Sequence, residues 1–265
     1  MTLWQAIVLG IVQGLTEYLP ISSTAHLAIV PKLLGWDNPS LAFKAVIQLG
    51  TLAAVFWYFR ADIVAIASAT LRGESKLAWM IAAGTVPVVV LGLLFKHRIE
   101  WMNESLHVMA LAMIGLAGAL ILAEWLEKRR KALRTVEQAG WLDAIVVGCA
   151  QAVALIPGSS RSGCTIAGGL FCGLKREAAA RFSFLLSLPA ILAAGLFEMK
   201  DVSLADDGSA LNLVVATGVS FVVGYASIAF LLGYLKRHTM WLFIWYRLAL
   251  GALLLVLLWL GKLGS

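Results

Sequence analysis

Charge is scarce in this chain: Asp, Glu, Lys and Arg together supply 14% of its 265 residues, against 61% hydrophobic ones. With so little charge and a mean hydropathy of +0.88, the composition excludes a soluble globular domain. Cysteine is nearly absent, and Cys149, Cys164 and Cys172 share no zinc or redox spacing. All three lie in small-residue apolar segments, which assigns them to packing. No cleavable leader is evident either, because no basic stretch precedes the first apolar run and "QGLTEYLP" offers no small-residue cleavage site. No processed signal is therefore expected.

What is present instead is bilayer-length hydrophobic sequence. Apolar runs at about 41–59, 78–95, 106–125, 180–197, 211–235 and 240–261 each approach the roughly 20 residues that a crossing needs. They predict an all-α polytopic membrane protein with six transmembrane helices. The excess of 21 Lys+Arg over 15 Asp+Glu lies in short loops, so it reports topology and gives no reason to expect a nucleic acid partner. By that rule "EKRRKALR" at 127–134 faces the cytoplasm, with the 60–76, 175–176 and 236–238 clusters on the same side. The acidic loop at 198–208 and both termini then fall outside. Trp57, Trp79, Trp101, Trp125 and Trp141 stand near span ends, as interfacial anchors do.

The chain also repeats itself within a single membrane domain spanning 1–265. "AIVLGIVQ" at 6–13 and "AIVVGCAQ" at 144–151 match at Ala, Ile, Val, Gly and Gln. Pro20 with Ser22 and Ser23 follows the first, and Pro157 with Ser159 and Ser160 follows the second. Each half, about 1–126 and 140–262, thus reads as a short apolar helix, a proline break, a Ser-led restart and three long spans. Helices this short and interrupted predict two re-entrant hairpins. Three crossings per half is an odd number, so the halves are inverted relative to each other, and the breaks are expected to meet inside the membrane.

The breaks hold nearly all the intramembrane chemistry. Gln13 and Glu17 lie four apart on one helix face, and Ser23 and His26 share a face of the next helix. Ser23 as nucleophile, His26 as base and Glu17 as its partner is one reading; simple N-capping by Ser22, Ser23 and Thr24 is the other. In "PGSSRSGCT" at 157–165, Gly158, Gly163 and three serines surround Arg161, a combination suited to cradling phosphate at a helix start. An intramembrane Glu or Arg costs roughly 2.5–3.5 kcal/mol, which marks Glu17 and Arg161 as functional, or as an ion pair that neutralises itself. Arg247 either snorkels or pairs with a neighbouring helix. Glu124 and Asp143, near cytoplasmic span ends, are expected to be solvated.

Together these segments resemble the undecaprenyl-diphosphate phosphatases of bacteria, the bacitracin-resistance type, along nearly the whole chain. That family carries Glu or Gln with Glu four residues on, met by Gln13 and Glu17, then Pro-x-Ser-Ser-Thr-x-His, met by Pro20, Ser22, Ser23, Thr24 and His26. Its second motif is met by Pro157, Gly158, Ser160, Arg161, Ser162 and Thr165. The resemblance implies removal of the terminal phosphate of undecaprenyl diphosphate, a polyprenyl lipid, for peptidoglycan carrier recycling and bacitracin resistance. It also implies a bacterial plasma membrane location with the site open to the periplasm or exterior, and leaves a homodimer open. Glu17, Ser23, His26 and Arg161 would be catalytic. Gln13, Ser22, Thr24, Gly158, Ser159, Ser160, Ser162 and Thr165 would bind substrate. A divalent cation, Mg²⁺ or Ca²⁺, would sit on Glu17 assisted by Gln13, whose neutral amide replaces the Glu of other members. A polyprenyl-phosphate flippase or secondary transporter is the alternative, since an inverted repeat with a midplane anion site serves transport equally well.

Overall fold

The computed structural model describes residues 1–198 and 209–263; the acidic loop expected on the outer side lies almost wholly outside them. Six long apolar helices cross the bundle: α3 (Leu41–Tyr58), α5 (Lys76–Leu94), α7 (Leu106–Arg129), α10 (Arg176–Glu198), α11 (Ala210–Leu235) and α12 (Trp241–Trp259). Each falls within a few residues of an apolar run in the sequence. Two broken pairs accompany them, α1 (Leu3–Tyr18) with α2 (Ser23–Leu34), and α8 (Trp141–Val153) with α9 (Arg161–Phe171). At 16, 12, 13 and 11 residues, and 1.5 Å of rise per residue, none spans a hydrocarbon core of about 30 Å. Two short connecting helices, α4 (Arg60–Leu71) and α6 (Lys96–Glu104), were not anticipated by the hydropathy pattern, because neither is a sustained apolar run.

Both broken pairs return to the end they leave. Arg134, after α7, donates its N–H to Gly173 O and accepts from Lys175 N, each at 2.9 Å, so the α8–α9 pair begins and ends at one place. In the first half, Ala6, Leu27, Phe43 and Leu213 share one buried cluster, which puts the starts of α1, α3 and α11 beside α2. Equivalent helices are therefore separated by three crossings and run in opposite directions. The packing exchanges accordingly: α1 lies against α11 as α8 lies against α5, while α3 meets its counterpart α10 and α7 meets its counterpart α12.

Without water to drive helices together in lipid, close contact depends on small residues. A Cβ on Gly148 of α8 would come within 2.5 Å of Gly84 O on α5, and one on Gly84 would come within 2.9 Å of Ala144 O. Leucine at 148 must push α8 away from α5. The expected result for Gly148→Leu is a thermal midpoint lowered by roughly 5 °C or more, read from scanning fluorimetry of the detergent-purified protein.

The basic clusters gather at one end of the bundle, where Arg181 pairs with Asp62, Lys76 donates to Ala139 O and Lys236 approaches Glu177. Here the structure corrects one expectation. Glu124 and Asp143 are buried rather than solvated, at 1% and 2% exposure. Arg176 grips Glu124 with two bonds of 2.8 and 2.6 Å and reaches Glu127 at 2.7 Å, and Met240 N also donates to Glu124. Arg134 holds Asp143 in the same two-pronged way, at 2.8 and 2.7 Å. The reason lies in the partners: Arg176 reaches Glu124 from 52 positions away, and the loop before α8 folds Arg134 back over Asp143, nine residues on. Packing likewise accounts for Cys164, which is buried, and not for Cys149, which is exposed on α8.

Candidate active site

Among the described residues, Ser22 (φ 76°) and Ser160 (φ 68°) are the only non-glycines with left-handed backbone. Such a conformation costs an L-residue about 1–2 kcal/mol. Each serine caps the helix that follows, Ser22 accepting from Ala25 N at 3.4 Å and Ser160 from Gly163 N at 3.2 Å. The shared strain sets the register between the halves. Ser22 corresponds to Ser160, the same spacing that relates Gln13 to Gln151, so Ser23 corresponds to Arg161 and not, as the serine pairs suggest, to Ser160. The first residues of the two restarted helices are thus a hydroxyl and a guanidinium.

Both converge on one carboxylate. Ser23 Oγ donates to Glu17 Oε2 at 2.7 Å and Arg161 Nη2 to Glu17 Oε1 at 2.7 Å, across 144 positions of sequence. Gln13 Nε2 and Gln48 Nε2 complete the set, each at 3.0 Å. A pocket of about 210 Å³ opens beside them, with Glu17, Ser23, Thr24, Gln48, Gln151, Ser160 and Arg161 on its polar wall. Val88 and Ala190, each directly after a helix proline, help form the apolar wall. Because α2 and α9 both start at this pocket, two helix N-termini with unpaired N–H groups face the same space, which favours an anion.

The other residues singled out in the sequence stand behind this wall. His26 does not touch Ser23: its Nδ1 donates to Ser22 O at 2.7 Å and its Nε2 meets Tyr246 Oη at 2.6 Å. A carbonyl only accepts, so Nδ1 carries the proton and His26 steadies the strained cap. Ser162 Oγ donates to Leu19 O at 3.1 Å, and Thr165 bonds Arg161 O and Ser183, tying α9 to its neighbours. Ser159 contributes backbone, its N–H donating to Ile156 O and its carbonyl accepting from Cys164 and Arg247. Gly158 and Gly163 make room for α7, since a Cβ at Gly158 would strike Met109 O and one at Gly163 would lie 2.6 Å from Leu116, and neither lines the pocket.

Arg247, which the sequence left between snorkelling and pairing with a neighbouring helix, does the second, through backbone carbonyls rather than a carboxylate. It is 0% exposed. Its guanidinium donates to Pro20 O (3.2 Å), Gly158 O (2.9 Å) and Ser159 O (3.2 Å), and to Met113 O on α7 (3.1 Å). One side chain therefore binds the carbonyls freed at both breaks. Gln48 and Tyr246 were missed as well, for neither belongs to a motif that repeats.

A cation held by Glu17 and Gln13 does not fit this arrangement. Glu17 already accepts four bonds, one of them from a guanidinium, and Gln13 turns its amino group toward the carboxylate. Among the described residues no cluster of three or more His, Cys, Asp and Glu side chains is placed to hold a metal.

Unpartnered polarity marks what the pocket lacks. Arg161 Nε and Nη1 and both amide atoms of Gln151 are buried without a hydrogen-bond partner. In low dielectric each such group costs about 1–3 kcal/mol, more where it is charged, so the site is built to be completed by something with acceptor oxygens.

Comparison with known proteins gives a consistent result. A family description, "Bacitracin resistance protein BacA", matches residues 6–253. Undecaprenyl-diphosphatase of Chlorobium phaeovibrioides is 58% identical, covering 99% of this chain and 99% of its own. The proteins of that name from Chloroherpeton thalassium and Chlorobium luteolum are 55% identical, over 99% of both chains, and 58% identical, over 97% of this chain and 98% of that one.

Proposed function

The chain belongs to the bacitracin resistance protein BacA family, and from that premise we propose that this pocket removes the terminal phosphate of undecaprenyl diphosphate. The observation that carries the reading is the half-satisfied guanidinium of Arg161, with two donors unused between two helix N-termini. Diphosphate oxygens satisfy them. As Arg161 turns to the substrate, Glu17 loses its counter-charge and becomes a better base just where Ser23 Oγ already rests on it.

Ser23 Oγ then attacks the terminal phosphorus in line, its proton passes to Glu17, and the bond to the bridging oxygen breaks. Undecaprenyl phosphate leaves. Water hydrolyses the phosphoserine, releasing inorganic phosphate and restoring the hydroxyl. A divalent cation, where one takes part, would supply charge neutralisation to the diphosphate without a seat on Glu17 or Gln13, which are already engaged.

The site faces the outer leaflet of the bacterial inner membrane in this reading. At 1.5 Å per residue, Gln48 lies about 10 Å from the start of α3, whereas Ala194 lies about 27 Å from the start of α10. The α10 start belongs to the end where the basic clusters gather, the cytoplasmic one by the positive-inside rule. The pocket is thus nearer the opposite face.

Trapping with substrate labelled at the terminal phosphate tests the chemistry. Label is expected on Ser23, and Ser23→Ala should lower phosphate release at least about 100-fold. Label on His26, or none in a rapid quench, refutes the serine route.

A further inference from the structure

Gln151 has no part in the scheme above, yet it is among the most anomalous side chains in the molecule. It is 0% exposed, lies on the pocket wall, and has both its amide nitrogen and its amide oxygen unpartnered. Its counterpart in the first half is content: Gln13 donates to Glu17 at 3.0 Å and to Thr51 at 3.5 Å. The difference has a simple origin. Four residues after Gln13 stands Glu17, while four after Gln151 stands Leu155, also on the pocket wall. The second half keeps the amide and lacks the carboxylate that would bind it. An amide kept inside a membrane protein with nothing to bond is a standing destabilisation.

We propose that Gln151 is a substrate-binding residue that hydrogen-bonds the diphosphate from the pocket wall, its Nε2 donating to a phosphate oxygen and its Oε1 accepting from the hydroxyl of a protonated phosphate or from water bound to it. This rests on the phosphatase reading and extends it. Arg161 supplies the charge, and Gln151 supplies a neutral donor and acceptor that fix how the phosphates lie. A carboxamide suits that position better than a carboxylate, which would repel the anion.

The test separates binding from folding and from turnover. Full-length protein in detergent is compared as wild type, Gln151→Met and Gln151→Glu, with thermal unfolding measured without lipid, affinity for undecaprenyl diphosphate by thermal-shift titration, and KM and kcat from phosphate release. Gln151→Met removes the unsatisfied amide at similar volume, so its substrate-free midpoint should equal or exceed that of wild type. Its affinity should nonetheless fall about tenfold or more and its KM rise in parallel, with kcat changed less. Gln151→Glu should bind more weakly still. Unchanged affinity and KM in Gln151→Met, or a lowered substrate-free midpoint, overturns the assignment and leaves Gln151 a structural residue. Wild-type protein that binds the lipid and releases no phosphate would sink the phosphatase reading alone, since the affinity comparison stands without turnover.

Discussion

Arg161→Ala is expected to lower kcat/KM for phosphate release at least about 1,000-fold while the protein remains folded in detergent. Substrate binding carries the effect. The substrate loses a planar fork able to hold two phosphate oxygens, and charge-assisted bonds are worth roughly 1.5–3 kcal/mol each, so that two of them account for a loss of this size. With the guanidinium gone, Glu17 retains Gln13, Ser23 and Gln48, so the carboxylate is still hydrogen-bonded and the pocket need not collapse. Arg161→Lys keeps the charge and loses the fork, and should recover only part of the deficit. Phosphate release from purified protein checks both variants. Activity of Arg161→Ala within tenfold of wild type would mean that anion binding lies elsewhere.

The second large effect should come from a residue that touches no substrate. Arg247→Met is expected to lower kcat/KM about 100-fold or more with a much smaller change in stability. Two free energies compete. Removing an intramembrane Arg relieves roughly 2.5–3.5 kcal/mol of insertion penalty. Against this, Pro20 O, Gly158 O and Ser159 O lose their guanidinium bonds, at about 1–3 kcal/mol each when buried and unpaired. Near the lower figure, about 1 kcal/mol for each carbonyl, the two offset, so the folded fraction should survive while the alignment of the two breaks does not. Misplacement by about 1 Å is enough for a 100-fold loss. Thermal unfolding and phosphate release, measured on the same preparation, separate the outcomes. Full activity would show that the breaks hold their own shape, and outright loss of folding would show that the carbonyl bonds dominate.

The electrostatics explain why Arg247 and Arg161 act differently despite equal charge. Arg247 spends its donors on backbone carbonyls and is complete without ligand. Arg161 has one nitrogen on Glu17 and two idle. The first is equipped to position, and the second keeps donors for a ligand.

Much of this was legible in the letters. Six spans, the broken short helices, the inverted repeat and the motif residues follow from hydropathy, proline placement and a repeated "AIV" pattern, because crossing a bilayer imposes a length and a polarity that any sequence must display. Intramembrane Glu17 and Arg161 declared themselves by their cost. What only the tertiary structure decided is who meets whom: that Ser23 rests on Glu17 and His26 on Ser22 and Tyr246, that Arg161 rather than Ser160 is the counterpart of Ser23, that Glu124 and Asp143 are buried under arginines, and that Arg247 binds both breaks. Hydrogen bonds act within about 3 Å, and the partners here lie up to 227 positions apart along the chain. No local pattern encodes such a distance; the packing of the two halves against each other does.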